Sequence, residues 1–226
     1  MSWAGVLWPT CTLLPQLAAG AEPQPRLHRW ARRLLPALGV EVAILGQPRH
    51  DISLWVANHL SWVDGVVFMA MRPMGTIAKG EVAGYPLIGR WARKSGIHFV
   101  DRGDATSRAA ALASFTSSLQ RGRDMLLFPE GTTTRGERLA EFYEGGLRAA
   151  FDLGLPAQPL RISSPVPHYP WTGEETLLPH IRTLLASRTP VTVVAEEPLY
   201  PADFIDPTAW ITEFRTALMP RSADVS

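Results

Sequence analysis

The sequence predicts an α/β fold: a mixed, mostly parallel sheet flanked by helices, with an N-terminal interfacial amphipathic helical segment. Three observations predict it. From residue 40 onward short apolar runs alternate with stretches of helical periodicity, and strands separated by helices build parallel or mixed sheets. Polar residues gather directly after several of those runs, at the strand ends where open α/β sheets bind ligands. Ahead of the first run, Arg26 to Leu38 carries an apolar stripe with arginines beside it. The expected division is an N-terminal membrane-interface segment over 1–40, one domain over 41–220 and a tail over 221–226.

Taken in order, Trp3 to Ala21 is apolar but is broken by Pro9 and Pro15, short of the ~18 uninterrupted apolar residues of a membrane span. Its Ala19-Gly20-Ala21 ending resembles a signal-peptidase site, yet no Lys or Arg precedes it. It reads as interfacial. In the next stretch Leu27, Trp30, Ala31, Leu34, Leu35 and Leu38 share one helical face, while Arg26, Arg29, Arg32 and Arg33 lie off it. Pro36 should end or kink that helix. A basic amphipathic helix with a tryptophan reads as a membrane-surface element; a core-packing helix with a solvated face is the alternative. On the membrane reading, aspartates at Trp30 and Leu34 release the protein from anionic vesicles and leave it folded.

The expected strands are Val40 to Leu45, Ile52 to Ala57, Thr76 to Ala78, Ile97 to Val100, Met125 to Phe128, Ala157 to Ile162 and Val191 to Ala195. The expected helices are Ser61 to Met71, Tyr85 to Arg93, Asp104 to Gln120, Gly146 to Leu153, Thr176 to Ser187 and Pro207 to Leu218. Gly122 and Gly154 stop two of them, and Asp206 caps the last with Pro207 at its first position. Ser163 to Glu175 reads as a loop.

Composition narrows the function classes. Hydrophobic residues make up 46% and charged ones 19%, with eight tryptophans, which suits a lightly charged protein that meets an interface. A net charge of +1 offers no basic field for nucleic acid. The single Cys11 rules out an internal disulfide. A Gly-x-Ser-x-Gly elbow is absent, as are His-Glu-x-x-His and paired cysteines, so serine hydrolase and zinc sites lack sequence support. Gly131 to Gly136 has phosphate-loop spacing, but Glu137 stands where lysine is required.

The stretch Asn58-His59-Leu60-Ser61-Trp62-Val63-Asp64-Gly65 sets a histidine and a carboxylate five residues apart, directly after an apolar run. In an ideal helix those positions point about 140° apart, and in a strand they face opposite sides. They can meet only where the backbone turns, as at a strand-to-helix junction that Ser61 or Asp64 could cap. A histidine held by a carboxylate is a general base near neutral pH; a capping Asp with an unrelated loop His is the alternative. Lys79 follows one strand, Asp101 and Arg102 another, and Glu130-Gly131-Thr132 a third. If those strands run parallel, all share one crevice with His59. Arg102 suits a phosphate gripped through two N–H bonds, and Lys79 a point charge. Gly131 lets the backbone approach a ligand closely, and Glu130 either holds a ligand hydroxyl or braces its loop.

Asn58-His59-x4-Asp64, then Gly96 to Arg102, then Phe128-Pro129-Glu130-Gly131-Thr132 resemble, in this order, the glycerolipid and lysophospholipid acyltransferases. The resemblance covers roughly Ile52 to Ile162, and Arg26 to Gly39 is similar to the helix that precedes the first motif there. It implies transfer of an acyl chain from acyl-CoA or acyl carrier protein to the free hydroxyl of a lysophospholipid, 1-acylglycerol-3-phosphate first, giving phosphatidate. His59 would take the hydroxyl proton and Asp64 would hold and charge-stabilise the imidazolium. Asn58, Ser61, Lys79, Arg102, Glu130, Gly131 and Thr132 are the candidate substrate-binding residues. The resemblance implies no metal or redox cofactor, since the thioester already carries the activation energy.

Two departures bear on the acceptor. Thr133 and Thr134 follow Gly131-Thr132 where many phosphatidate-forming members carry Arg then Ser, and Arg161 interrupts the fourth motif, Gln158-Pro159-Leu160-Arg161-Ile162. Gly-Thr-Thr resembles the subgroup that acylates lyso-ornithine lipid. The expected partners are a lysolipid, an acyl thioester, a membrane surface and acyl carrier protein; the expected location is the cytoplasmic face of a membrane, peripheral or monotopic. A non-catalytic lipid-surface binder and a thioester hydrolase are the competing readings.

Overall fold

The computed structural model describes residues 23–80, 97–101, 103–173 and 176–221, with only the backbone of Lys79. The expected interfacial segment over Trp3 to Ala21, the helix over Tyr85 to Arg93, and Arg102 lie outside the described residues.

Seven strands form one sheet in the order β1-β7-β6-β2-β5-β3-β4. They are β1 (Val40–Gly46), β2 (Leu54–Ala57), β3 (Gly75–Lys79), β4 (Ile97–Val100), β5 (Met125–Leu127), β6 (Ala157–Ser163) and β7 (Thr189–Ala195). Strands β2 to β6 run parallel, while β7 lies antiparallel to β6 and carries β1 parallel to itself at the edge. The described helices are α1 (Pro23–Ala37), α2 (Trp62–Met71), α3 (Ala105–Gln120), α4 (Gly145–Asp152), α5 (Leu177–Ala186) and α6 (Pro207–Leu218). The expected α/β sheet is therefore present, mixed and mostly parallel.

β2 is buried along its whole length, as a central strand with both faces covered must be. Its side chains alternate between two cores. Trp55 and Ala57 face α1, α2 and Leu184 of α5. Leu54 and Val56 face Phe115 of α3, Leu147 of α4 and Trp210, Phe214 and Leu218 of α6. The two layers clamp β2, so the point where its chain exits is fixed from both sides.

Element boundaries follow capping chemistry. Ser61, Asp104 and Asp206 cap α2, α3 and α6, each accepting a backbone N–H of the first turn. Pro36 sits in the last turn of α1 and the helix ends one residue later; Gly39, at φ +78°, turns the chain into β1.

The apolar stripe of α1 is spent inside the protein. Ala31, Leu34, Leu35 and Leu38 are buried, and Trp30 packs beside them against the first core. This corrects the membrane reading of that stripe: a carboxylate at Leu34 would enter a closed core without a partner, which costs the fold itself. Arg29, Arg32 and Arg33 remain exposed on the other face of the helix. Among the described residues no helix is long and apolar enough to cross a membrane.

Arg161 is likewise internal, at 3% exposure, donating to Glu196 Oε1 at 2.5 Å and to Ala217 O at 3.1 Å. It points from β6 toward α6, opposite to the face of Leu160 and Ile162 that helps form the first core. It ties β6, the residue after β7 and the last helix together.

Candidate active site

β2 ends at Ala57, and the next residue continues its ladder with a side chain. Asn58 Nδ2 donates to Ile162 O at 2.9 Å, and Ile162 N donates to Asn58 Oδ1 at 2.7 Å. The chain then turns: Ser61 is extended and α2 begins at Trp62. That turn folds the first helical turn back over His59, so residues five apart meet. His59 Nδ1 lies 2.8 Å from Asp64 Oδ2.

The carboxylate is fully buried and saturated with donors. Oδ2 also accepts Leu60 N at 2.6 Å and Ser61 N at 2.8 Å, and Oδ1 accepts the Tyr169 hydroxyl at 2.6 Å. Burial, then the neighbouring Asp64 charge, holds the Tyr169 phenol well above its usual range, so it stays a neutral donor. With the Nδ1 proton directed at Asp64, Nε2 is the imidazole's acceptor. Among the described residues Nε2 has no hydrogen-bond partner, and the His59 side chain keeps 19% of its surface exposed. A basic nitrogen therefore faces the site, backed by a fixed negative charge.

The loop after β5 seats the histidine. Phe128 stacks on the imidazole, with ring centres 4.0 Å apart and planes 18° apart. Gly131 N donates to Phe128 O at 3.0 Å, closing a turn that carries Glu130. Glu130 Oε1 accepts His59 N at 2.9 Å and Oε2 accepts Ala140 N at 2.8 Å, while Thr134 N donates to His59 O at 2.8 Å. Burial raises the Glu130 carboxyl above its ordinary value, opposed by those two N–H bonds. Gly131 sits at φ +59°, and a Cβ there would lie 2.7 Å from the Tyr143 ring, so only glycine fits the turn.

Asn58, Ser61 and Glu130, at 3%, 0% and 1% exposure, were candidate substrate contacts, with a capping role also open for Ser61 and a bracing role for Glu130. Their side chains are instead closed in internal bonds that aim His59 and Asp64, because each sits where a backbone group would otherwise be orphaned. Gly131 and the exposed Thr132 remain at the rim. Lys79 ends β3 in register with Val100, so its backbone stands on the same sheet edge as His59. Thr133 Oγ1 donates to Trp171 O at 2.5 Å and Trp171 N to Leu60 O at 2.9 Å, which pins the 163–173 loop beside the dyad.

Sequence reasoning missed Tyr169, Thr134 and Ala140, and the stacking role of Phe128. Tyr169 lies 105 residues from Asp64 in an aperiodic loop, where no spacing signal exists.

The family model described as Acyltransferase matches residues 46–163, more than half of the chain. The lyso-ornithine lipid O-acyltransferase of Pseudomonas aeruginosa is 38% identical over 190 residues, covering 80% of this chain and 73% of that protein. The 1-acyl-sn-glycerol-3-phosphate acyltransferase of Neisseria gonorrhoeae is 30% identical over 142 residues, 63% of this chain and 54% of that one. The crystal structure of the 1-acyl-sn-glycerophosphate acyltransferase PlsC from Thermotoga maritima superposes with a TM-score of 0.68 at 20% identity, over 96% of this chain and 87% of that one, and shows the shared fold. A buried carboxylate behind a partly exposed imidazole at the carboxyl edge of a parallel sheet is the arrangement such chemistry needs, and this chain belongs to the acyltransferase family.

Proposed function

We propose that the protein moves a fatty acyl chain from a thioester to the free hydroxyl of a lysolipid, with His59 as the general base. The observation that carries this reading is the His59 ring, whose Nδ1 is held by Asp64 while Nε2 is left open. The acceptor hydroxyl gives its proton to Nε2 as its oxygen attacks the thioester carbonyl, and Asp64 stabilises the imidazolium. The tetrahedral intermediate then collapses, the C–S bond breaks, and the thiolate leaves with the proton from Nε2. Base catalysis of this kind contributes on the order of 10²–10⁴ in rate.

The acceptor in this reading is lyso-ornithine lipid. The 38% identity to a protein of that name supports it. So does the loop beyond the Glu130 turn, where a depression of about 520 Å³ is lined by Arg135, Glu137 and Arg138. None of the three forms an ion pair among the described residues, and both charge signs suit a headgroup with an ammonium and a carboxylate. The depression adjoins the catalytic histidine through Thr134, whose N–H bonds His59 O. The second reading, 1-acylglycerol-3-phosphate, is favoured by the gonococcal relative and by the cationic Lys79 at the end of β3. The donor is acyl-CoA or acyl carrier protein. The exposed Arg29, Arg32 and Arg33 of α1 support peripheral attachment to an anionic membrane surface, on its cytoplasmic face.

Purified protein supplied with each labelled donor and both lysolipids should acylate lyso-ornithine lipid with a kcat/KM at least roughly tenfold above that for lysophosphatidate, a difference of about 1.4 kcal/mol. A reversed ratio would assign the phosphate acceptor. Release of free fatty acid without either acceptor, at the transfer rate, would make the protein a thioester hydrolase.

A further inference from the structure

We infer that Tyr169 is a third, positioning member of the catalytic constellation, setting the basicity of His59 through the buried Asp64 carboxylate. The inference rests on the acyl-transfer reading above and adds a residue to it. Tyr169 is 0% exposed and its hydroxyl donates to Asp64 Oδ1 at 2.6 Å. The other carboxylate oxygen is the one that faces His59 Nδ1 and the two backbone N–H groups. Each oxygen therefore has its own duty. Oδ2 orients the base, and Oδ1 is held by a single side chain.

The loop that carries Tyr169 is itself anchored to the dyad. Trp171 N donates to Leu60 O at 2.9 Å, Tyr169 N to Val166 O at 3.0 Å, and Thr133 Oγ1 to Trp171 O at 2.5 Å. Tyr169 thus reaches Asp64 from a different part of the chain than the helix turn that supplies the backbone donors. A short hydrogen bond to a carboxylate draws negative charge toward the donor and away from the opposite oxygen. Less charge is then left to stabilise an imidazolium at His59.

The titratable groups around this network are few. Glu130 faces His59 from the β5–α4 loop through the His59 backbone N–H. His168 precedes Tyr169 and accepts or donates at Ser187 Oγ, and His180 of α5 binds His168 O and Trp62 Nε1. Among the described residues only Tyr169, His59 and the Leu60 and Ser61 N–H groups bond the Asp64 carboxylate itself.

Without the hydroxyl, Asp64 keeps more charge at Oδ2, the imidazolium is stabilised, and His59 loses its proton at higher pH. In Tyr169→Phe the acid limb of kcat/KM should move up by roughly half a pH unit. The NMR titration midpoint of the His59 ring should move up with it. The kcat should fall roughly tenfold at the pH optimum, as an imidazole with a less constrained carboxylate behind it is less well aimed, with the acyl-donor KM unchanged. Incorporating 3-fluorotyrosine at position 169 supplies a more acidic phenol and a stronger donor. It keeps the ring in place and should move both midpoints down.

Opposite movement of the two variants carries the inference, because a merely structural loss would lower thermal stability and leave both midpoints where they are. Midpoints for His59 that agree with wild type in both variants overturn it. If the wild-type protein transfers no acyl group from any donor while the His59 midpoint still shifts between variants, the acyl-transfer reading fails and the Tyr169–Asp64–His59 linkage stands.

Discussion

Asp64→Asn is expected to lower kcat by between roughly 10² and 10⁴ while the protein stays folded. Three donors converge on Oδ2: the backbone N–H groups of Leu60 and Ser61 and the Nδ1–H of His59. An asparagine must therefore place its carbonyl oxygen there. Its amide nitrogen then faces the Tyr169 hydroxyl, which can rotate and accept instead of donating. The hydrogen-bond count and the imidazole's orientation survive. What disappears is the negative charge that stabilises the imidazolium, and with it the driving force for proton removal. The loss should fall on kcat, with KM for donor and acceptor close to wild type. Unchanged circular dichroism and thermal midpoint, beside the collapsed rate, are the measurement that separates charge from scaffold.

Glu130→Gln is the second substitution with a large expected effect, and its cause is different. Both carboxylate oxygens accept backbone N–H groups, from His59 and from Ala140, at a residue that is 1% exposed. Glutamine offers one oxygen and one NH₂, so one backbone N–H must face another donor. Leaving a buried donor unsatisfied costs about 1–3 kcal/mol. The cost lands on the seat of the base itself or on the loop that lines the charged depression. Stability should drop by that amount in denaturant titration, and kcat should fall at least roughly tenfold as His59 shifts against Phe128, since misplacement of about 1 Å is enough. Activity and stability both at wild-type values would remove Glu130 from the site's frame.

How much of this was legible in the sequence depends on the kind of signal. The alternation of apolar runs and helical patterns announces the sheet, because burial on two faces leaves a local imprint in each strand. The meeting of His59 and Asp64 was legible as a requirement for a strand-to-helix turn, and Ser61 supplies that turn as a cap. The carboxyl-edge gathering of Asn58, Lys79 and Glu130 needed only parallel strands, which β2, β3 and β5 are. The strand expected from Val191 begins two residues earlier, at Thr189, with Pro190, which has no N–H to donate to a ladder, at its second position.

What was not legible is whether a polar side chain faces a ligand or a neighbour. Asn58, Ser61 and Glu130 look like substrate contacts in a string of residues, and each side chain is closed on a backbone group across 104, 2 or 71 positions, although Ser61 also suited a cap and Glu130 a brace for its loop. The stripe on α1 gave the same pattern for a membrane and for a core, since amphipathicity records a boundary and not what lies beyond it. Arg161 seemed to disturb the fourth motif because its partners, Glu196 and Ala217, are far off in sequence. Tyr169 had no periodicity, no repeat and no motif, and only a fold that brings the loop after β6 over the first turn of α2 reveals it.

The central claim is that His59 is the base for acyl transfer. A radiolabelled acyl thioester mixed with lysolipid and saturating protein should yield labelled diacyl lipid in a single turnover with wild type. His59→Ala should yield it more slowly by a factor on the order of 10³ or more, with lysolipid binding retained. Product formation by His59→Ala at the wild-type rate would contradict the account.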